Sequence, residues 1–283
     1  MTTGAALASA TRALRAAGVP LPELDALLLA AHALGLGKAS LLAHPERALT
    51  AAEAARLDAL VTRRADRVPL AYLLGEREFY GRDFRVTPDV LVPRPETELL
   101  VEVAMEWLRE RPATGWAADV GTGSGTLAVT LAAERPGLRV VATDRSPAAL
   151  AVAAVNAARH AVAARTHLVC TDLLGGVAGP LGLVVANLPY IPSDAIAGLM
   201  LEVARHEPRL ALDGGPDGLA PIRRLLAQAP ARLAPGGLLL LEIGGDQGPA
   251  VRAEAARLLP GADIAVLKDL AGHDRVLRAR MSP

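Results

Sequence analysis

Apolar residues follow two different patterns along this chain, and the change between them divides the sequence. Up to about residue 75 the apolar residues recur at helical spacing, as the leucines of residues 21–29 illustrate. Thr50-Ala51-Ala52-Glu53 is a capping box, which predicts the start of a helix. This segment shows no strand pattern, so residues 1–75 are predicted to form a small helical bundle domain.

Residues 76–95 are predicted to form a hairpin followed by an extended linker. Two runs of apolar and aromatic residues flank Gly81-Arg82, which is a turn signal. Three prolines between residues 88 and 95 then favour extended backbone. The last of them can open a helix that continues to about residue 110.

Residues 96–283 are predicted to form a second, α/β domain, because strand and helix patterns alternate along them. This alternation predicts a mostly parallel, seven-stranded sheet covered by helices on both faces. Only residues 269–273 separate the last two strand patterns, which implies an antiparallel hairpin at the edge of the sheet. The predicted strands are 116–120, 138–143, 167–170, 181–186, 236–243, 263–268 and 274–279, and the predicted helices between them are 125–134, 147–160, 217–233 and 247–258.

Composition and charge narrow the classes of function. The chain has 283 residues, of which 52% are apolar, so a sizeable core is expected. Its formal net charge is +0, which argues against a function that depends on broad contacts with nucleic-acid phosphates. The single cysteine, Cys170, excludes an internal disulfide and is expected to fill core space at a strand end. With no membrane span or signal-peptide pattern, a cytoplasmic protein is expected.

A glycine-rich loop follows the first predicted strand of the sheet. Residues 119–125 read D-x-G-x-G-x-G, and Asp144 ends the next apolar run. In an open parallel sheet such a loop lets the backbone approach a ligand, and the acidic residue accepts hydrogen bonds from ribose hydroxyls. A dinucleotide fingerprint would need G-x-G-x-x-G, but position 126 is Thr, so a pyrophosphate site is disfavoured.

The loop resembles the first motif of Rossmann-like S-adenosylmethionine methyltransferases. This resemblance implies S-adenosyl-L-methionine as the cofactor, with the loop glycines making room for its methionine part. It also implies that Asp144 holds the ribose, while Asp172 lies near the adenine and Leu173 forms an apolar wall. The expected cofactor-binding residues are Gly121, Thr122, Gly123, Ser124, Gly125, Asp144, Asp172, Leu173 and Asn187.

The tetrapeptide Asn187-Leu188-Pro189-Tyr190 directly follows a predicted buried strand. Pro189 biases Leu188 toward extended backbone, so the Asn187 side-chain oxygen and the Leu188 carbonyl can together accept both hydrogens of a planar NH2 group. Two such acceptors favour charge build-up on the nitrogen as a methyl group arrives, and Tyr190 can pack against the planar group. All four residues are therefore predicted to be catalytic and substrate-binding. The tetrapeptide resembles the N-P-P-Y motif of amino- and amide-methyltransferases, with Leu188 in place of the first proline.

With these motifs the chain resembles the HemK/PrmC family over nearly its whole length. The members of this family are protein-(glutamine-N5) methyltransferases that act on peptide chain release factors. The resemblance implies a class I methyltransferase domain that methylates the glutamine of the Gly-Gly-Gln motif, and a helical domain that recognises the release factor. It is carried by further segments at 67–75, 79–81, 92–98, 205–208 followed by 211–212, and 236–244.

Other interpretations remain open from the residues alone. The same pocket would accept a glutamine of a ribosomal protein or the exocyclic amine of adenine in nucleic acid, and a non-catalytic cofactor-binding protein is a further alternative. The histidines show no metal-binding spacing, so no metal is expected. Arg94 and Glu96 could close the cofactor pocket or simply begin a helix, and Glu207 could line the acceptor channel or form a structural ion pair.

Overall fold

The computed structural model describes residues 1–112 and 114–283. The helices are α1 (Thr3–Ala16), α2 (Pro22–Leu34), α3 (Lys38–Ala43), α4 (Ala51–Ala65), α5 (Leu70–Leu74), α6 (Glu98–Arg109), α7 (Thr126–Glu134), α8 (Pro147–Arg159), α9 (Leu201–His206), α10 (Ala220–Gln228) and α11 (Gly248–Leu258). The strands are β1 (Glu76–Phe79), β2 (Arg82–Arg85), β3 (Gly115–Val120), β4 (Leu138–Asp144), β5 (Thr166–Cys170), β6 (Leu181–Ala186), β7 (Leu233–Glu242), β8 (Asp263–Lys268) and β9 (Asp274–Arg280).

The chain divides into two compact units. The helical unit comprises Met1–Glu76 together with Met200–His206, and the second unit comprises Arg77–Leu199 together with Glu207–Pro283. The helical unit has its own apolar core, which includes Leu14, Leu29 and Leu57. Among the described helices, none is both long and apolar enough to cross a membrane.

The helical unit includes α9, although the sequence analysis placed these residues in the α/β domain. A buried cluster of charged side chains joins α9 to the helices of this unit. The Glu202 carboxylate accepts hydrogen bonds from Arg64 at 3.0 Å and from Arg67 at 2.7 and 2.8 Å. Arg64 also donates to Asp25 at 2.7 Å. Because these partners lie far apart in sequence, local patterns do not reveal that α9 belongs with α2 and α4.

The predicted capping box is confirmed, and α8 has an N-terminal cap as well. The Thr50 hydroxyl accepts from the amide of Glu53, and the Glu53 carboxylate accepts from the amide of Thr50 at 2.8 Å, so both halves of the capping box that opens α4 are present. The Ser146 hydroxyl accepts from the amide of Ala149 at 3.1 Å and caps α8. These bonds satisfy amide donors that a helix leaves free at its N-terminus.

The second unit is built on a seven-stranded sheet with the order β5-β4-β3-β6-β7-β9-β8. The first five strands of this order run parallel, whereas β9 pairs antiparallel with both β7 and β8. Side chains alternate between the faces, so Ala117 belongs to the core on one face and Ala118 to the core on the other. The predicted mostly parallel sheet with an antiparallel edge hairpin, covered on both faces, is confirmed.

Three details differ from the sequence-based expectations. Strand β7 begins at Leu233 rather than near residue 236, and it pairs with β6 through an irregular register. Helix α10 ends at Gln228, because Pro230 has no backbone N–H to continue the helical hydrogen bonds, and a short 3-10 turn over Ala229–Ala231 follows. The expectation that Cys170 fills core space is wrong: its side chain is exposed, because β5 is the edge strand of the sheet.

Candidate active site

A cavity of about 660 Å³ lies where the loops that follow the parallel strands meet. The chain runs outward from β3 to β4 and β5 on one side and continues with β6 and β7 on the other, so the order of the sheet reverses between β3 and β6. Ligands of open α/β sheets bind at such a switch point. Of the predicted site residues, those that line the cavity are Gly121, Thr122, Gly123, Ser124, Asp144, Asp172, Leu173, Asn187, Leu188 and Pro189.

Asp144 holds the glycine-rich loop in place. One of its carboxylate oxygens accepts from the amide of Gly123 and the other from the amide of Ser146, both at 2.9 Å. The Thr143 carbonyl accepts from the amides of Gly121 and Thr122. The loop is therefore fastened to the end of β4, and each Asp144 oxygen retains acceptor capacity toward the cavity.

The loop glycines are not equivalent. A Cβ on Gly123 would meet nothing within 4 Å, so this glycine faces open space in the cavity wall. A Cβ on Gly125 would lie 3.0 Å from the Cβ of Ala153, and Gly125 does not line the cavity. Gly125 therefore allows close packing of the loop against α8 rather than making room for a ligand, which departs from the expectation that all three glycines share one role.

Asn156, which the sequence reasoning missed, fastens the loop from the side of α8. Its fully buried side-chain amide donates to the carbonyls of Ser124 at 2.8 Å and Arg85 at 3.0 Å, and it accepts from the amide of Arg85 at 2.8 Å. A polar residue in the otherwise apolar pattern of α8 is the signal that could have identified it. Asn156 joins the hairpin strand β2 to the glycine-rich loop.

Asp119 is a second site residue that the sequence reasoning did not single out, although it opens the glycine motif. Its Oδ2 accepts from the Thr122 hydroxyl at 2.6 Å and from the amide of Ala128 at 3.0 Å, while its buried Oδ1 has no hydrogen-bond partner within the described protein. Burial raises the pKa of Asp119 to about 7. A buried acceptor without a partner in a cavity wall fits a cationic or hydrogen-bonding group of a ligand.

Asp172 and Leu173 follow β5 at the exposed end of the cavity. Asp172 forms an ion pair with Arg224, and about half of its side chain remains accessible. Leu173 is buried and has a positive φ of 52°, which is uncommon for a residue with a side chain. The two residues therefore offer one polar and one apolar surface to the same part of the cavity.

The four residues of the tetrapeptide do not share one environment. Asn187, Leu188 and Pro189 line the cavity, whereas Tyr190 does not. The Tyr190 hydroxyl donates to Glu242 Oε1 at 3.3 Å, and burial next to this carboxylate raises the pKa of the Tyr190 phenol. The Tyr190 hydroxyl therefore anchors the tetrapeptide to β7, while packing of its ring against the substrate stays a prediction.

Thr97 joins Asn187 to the same carboxylate. The Asn187 amide nitrogen donates to the Thr97 hydroxyl at 2.9 Å, and that hydroxyl donates to Glu242 Oε2 at 2.5 Å. Burial raises the pKa of Glu242, while the hydrogen bonds and the charge of Arg275 oppose that shift. The sequence reasoning named Thr97 and Glu242 only within family-like segments and gave neither a role.

Arg94, Glu96 and Glu207 were each left with two possible roles, one at the cavity and one structural. Arg94 lines the cavity, whereas Glu96 does not. The Glu207 carboxylate is buried, pairs with Arg94 at 2.6 Å and accepts from the amide of Val92 at 3.3 Å. Glu207 is therefore a structural ion-pair partner that holds the extended linker at Val92 and Arg94. No cluster of metal-binding side chains occurs among the residues that the structure describes.

Comparison with known proteins agrees with this geometry. The family model for the PrmC N-terminal domain matches residues 5–75, and the model for the methyltransferase small domain matches residues 96–248. Solved structures share the fold: a methyltransferase from Pyrococcus furiosus has a TM-score of 0.54 at 18% identity, covering 78% of this chain and 99% of its own. The catalytic domain of hMettl16 has a TM-score of 0.59 at 15% identity, covering 79% and 84%. The fold and the site define a class I S-adenosylmethionine methyltransferase.

Two relatives match the chain over almost its full length. The release factor glutamine methyltransferase of Moorella thermoacetica is 48% identical over 99% of this chain and 98% of its own length. The protein of the same name from Cereibacter sphaeroides is 49% identical over 98% and 97%. The chain belongs to the release factor glutamine methyltransferase family, and the resemblance to HemK/PrmC is confirmed.

Proposed function

We propose that this protein transfers a methyl group from S-adenosyl-L-methionine to the side-chain amide nitrogen of the Gly-Gly-Gln glutamine in peptide chain release factors. The observation that carries this proposal is the near-complete, 48% identical match to a relative with that name, with Asn187 at the cavity wall. Alternative substrates, such as a ribosomal protein or adenine in nucleic acid, are not favoured, because the match extends through the helical unit as well as the methyltransferase unit.

The residues of the cavity fit the cofactor. The unpartnered Asp119 oxygen offers an acceptor for its ammonium group, Asp144 keeps acceptor capacity for ribose hydroxyls, and the open face of Gly123 leaves space between them. Thr122, Ser124, Asp172 and Leu173 complete the proposed cofactor-binding set. When bound, S-adenosylmethionine supplies a methyl group on a positively charged sulfur, which gives the amide nitrogen an electrophile.

Asn187 and Leu188 act on the substrate nitrogen. An amide nitrogen is a poor nucleophile because its lone pair is delocalised into the carbonyl group. Acceptors at the Asn187 oxygen and the Leu188 carbonyl would hold both N–H groups and favour positive charge on nitrogen in the transition state. Once it carries the methyl group, the nitrogen is positively charged and far more acidic than the neutral amide, so it loses one of its two protons without a strong base and becomes a neutral N-methyl amide.

The helical unit is proposed to recognise the release factor, and the α/β unit to carry out the transfer. This proposal keeps the functional division into residues 1–75, 76–95 and 96–283, with α9 added to the helical unit. Because release factors act on ribosomes, the reaction is proposed to occur in the cytoplasm.

A transfer assay with labelled S-adenosylmethionine tests the proposal. The substrates are an unmethylated release factor, the same factor with the Gly-Gly-Gln glutamine replaced by alanine, and an adenine-rich oligonucleotide. We expect label on the native release factor alone, with mass spectrometry placing one methyl group on that glutamine. Equal labelling of the alanine variant, or label on the oligonucleotide instead, would overturn the substrate assignment.

A further inference from the structure

The amide group of Asn187 can present either its oxygen or its nitrogen to the cavity, because the two atoms are nearly equal in size. We propose that Glu242, acting through the Thr97 hydroxyl, fixes the Asn187 amide with its oxygen toward the substrate. Glu242 and Thr97 are then positioning residues for methyl transfer. This inference rests on the proposed function, in which the Asn187 oxygen accepts from the substrate amide.

The contacts form one continuous relay. Asn187 Nδ2 lies 2.9 Å from Thr97 Oγ1, which lies 2.5 Å from Glu242 Oε2. Glu242 Oε1 lies 3.3 Å from the Tyr190 hydroxyl. Glu242 is 1% exposed, and its hydrogen-bond donors among the described residues are these two hydroxyl groups.

The Thr97 and Tyr190 hydroxyls both donate to Glu242, so this carboxylate acts as the acceptor at the end of the relay and decides its direction. A carboxylate can only accept hydrogen bonds, so the single Thr97 hydroxyl proton must point to Glu242. The Thr97 oxygen can then only accept from Asn187, which commits the Asn187 NH2 group to Thr97. The Asn187 oxygen is left for the cavity. Without the carboxylate, the Thr97 hydroxyl could donate to the Asn187 oxygen, and the NH2 group would face the NH2 group of the substrate.

This arrangement explains why a carboxylate lies buried behind the tetrapeptide without lining the cavity. Burial of a charged group is costly unless hydrogen bonds compensate for the lost water. Here the compensating hydroxyls come from Thr97, directly before α6, and from Tyr190 of the tetrapeptide itself. The carboxylate therefore joins the two segments that form one wall of the acceptor site.

A reversed relay gives the sharpest test. In Asn187→Asp, two carboxylates compete for the single Thr97 proton, and we expect a large loss of kcat. In Asn187→Asp combined with Glu242→Gln, the glutamine NH2 can donate to Thr97, which can then donate to Asp at position 187. The outer oxygen of that aspartate still faces the substrate. We therefore expect the double variant to exceed the kcat of Asn187→Asp by about tenfold, although Glu242→Gln alone lowers kcat.

Thr97 supplies the matched control. Thr97→Val keeps the shape of the side chain and removes the hydroxyl, so we expect kcat to fall by about tenfold or more. Thr97→Ser restores the hydroxyl and should recover most of that loss. S-adenosylmethionine affinity and the melting temperature are measured for every variant, since a purely structural role would lower them without any rescue by the second substitution.

The outcomes separate the relay from the proposed function. Wild-type protein that leaves the release factor glutamine unmethylated would defeat the proposed function before any variant is compared. Wild-type methylation with a double variant no faster than Asn187→Asp would overturn the relay alone, as would a Thr97→Val variant with wild-type kcat and a folded structure.

Discussion

The carboxylate of Asp144 accepts a hydrogen bond from the amide of Gly123 at 2.9 Å, across the gap between β4 and the glycine-rich loop. Its second oxygen accepts from Ser146 at the start of α8. The residue proposed to bind the cofactor ribose therefore also shapes the loop beside it. Cofactor affinity and loop geometry depend on one side chain.

Removal of this carboxylate should weaken cofactor binding. Asp144→Ala loses both loop contacts and the ribose acceptors, so we expect the Kd for S-adenosylmethionine to rise by about tenfold to a hundredfold, or roughly 1.4–2.8 kcal/mol. Asp144→Asn keeps one acceptor oxygen, so its Kd for S-adenosylmethionine should lie between those of the wild type and Asp144→Ala. Isothermal titration calorimetry measures the affinities, and an unchanged Kd in Asp144→Ala would refute the assigned role.

Gly125 and Gly123 should respond differently to alanine. Both have positive φ, but only Gly125 would place its new Cβ 3.0 Å from Ala153. Gly125→Ala should therefore destabilise the cofactor-free protein by about 1–3 kcal/mol, and by more than Gly123→Ala does. Gly123→Ala should instead chiefly weaken S-adenosylmethionine binding. Thermal unfolding and calorimetry on both variants check this contrast, and equal melting temperatures would contradict it.

Asp119 should make stability fall as pH rises. The pKa of its buried carboxyl is about 7, above the ordinary value of 3.8, so between these values the folded protein holds a proton that the unfolded chain releases. Folding is therefore penalised increasingly as pH rises through this window. Asp119→Asn removes the penalty, and its stability relative to wild type should increase between pH 4 and 8. Urea unfolding across that range measures both stabilities. A difference between Asp119→Asn and wild type that does not change with pH would contradict the raised pKa of Asp119.

Glu202 should stabilise the helical unit far more than an exposed carboxylate does. Burial opposes ionisation of Glu202, but hydrogen bonds from Arg67 and Arg64 hold its pKa below the ordinary value. This stabilisation is present near neutral pH and is lost as pH falls through the lowered pKa. Glu202→Gln leaves the Arg67 charge without a carboxylate partner, whereas Arg64 keeps Asp25, and should cost about 3 kcal/mol.

The exposed pair between Arg15 and Glu23 supplies the control for Glu202. Glu23→Gln should cost less than about 1 kcal/mol, because water screens this pair. Hydrogen exchange in α2 and α4 reports the stability of the helical unit for both variants. Equal protection in the two variants would show that the buried cluster contributes no more than a surface ion pair.

Local sequence patterns predicted most of the elements because each depends on nearby residues. Strand β6 appears as an unbroken apolar run because both of its faces are buried. The starts of α4 and α8 carry side chains that cap their own first turns. Long-range partners left no such signal. Thr97 and Glu242 are joined across 145 residues, and Arg64 and Glu202 across 138, so neither pair has a spacing that periodicity detects.

The same limit applies to the candidate site. The carboxyl ends of parallel strands place Asp144 and Asn187 in one cavity, which the strand order made predictable. The sequence did not show that the Tyr190 hydroxyl donates to Glu242 or that Gly125 packs against Ala153. Both facts depend on how side chains from distant segments pack behind the loops.

Asn187→Ala tests the central claim most directly. This substitution removes the proposed side-chain acceptor and leaves the Asp119 and Asp144 contacts in place. Single-turnover methylation of a release factor is compared with S-adenosylmethionine affinity measured by calorimetry on the same preparation. We expect the methylation rate to fall by about a hundredfold or more while the Kd changes little. A rate close to that of the wild type would contradict the role of Asn187 as the acceptor that activates the glutamine nitrogen.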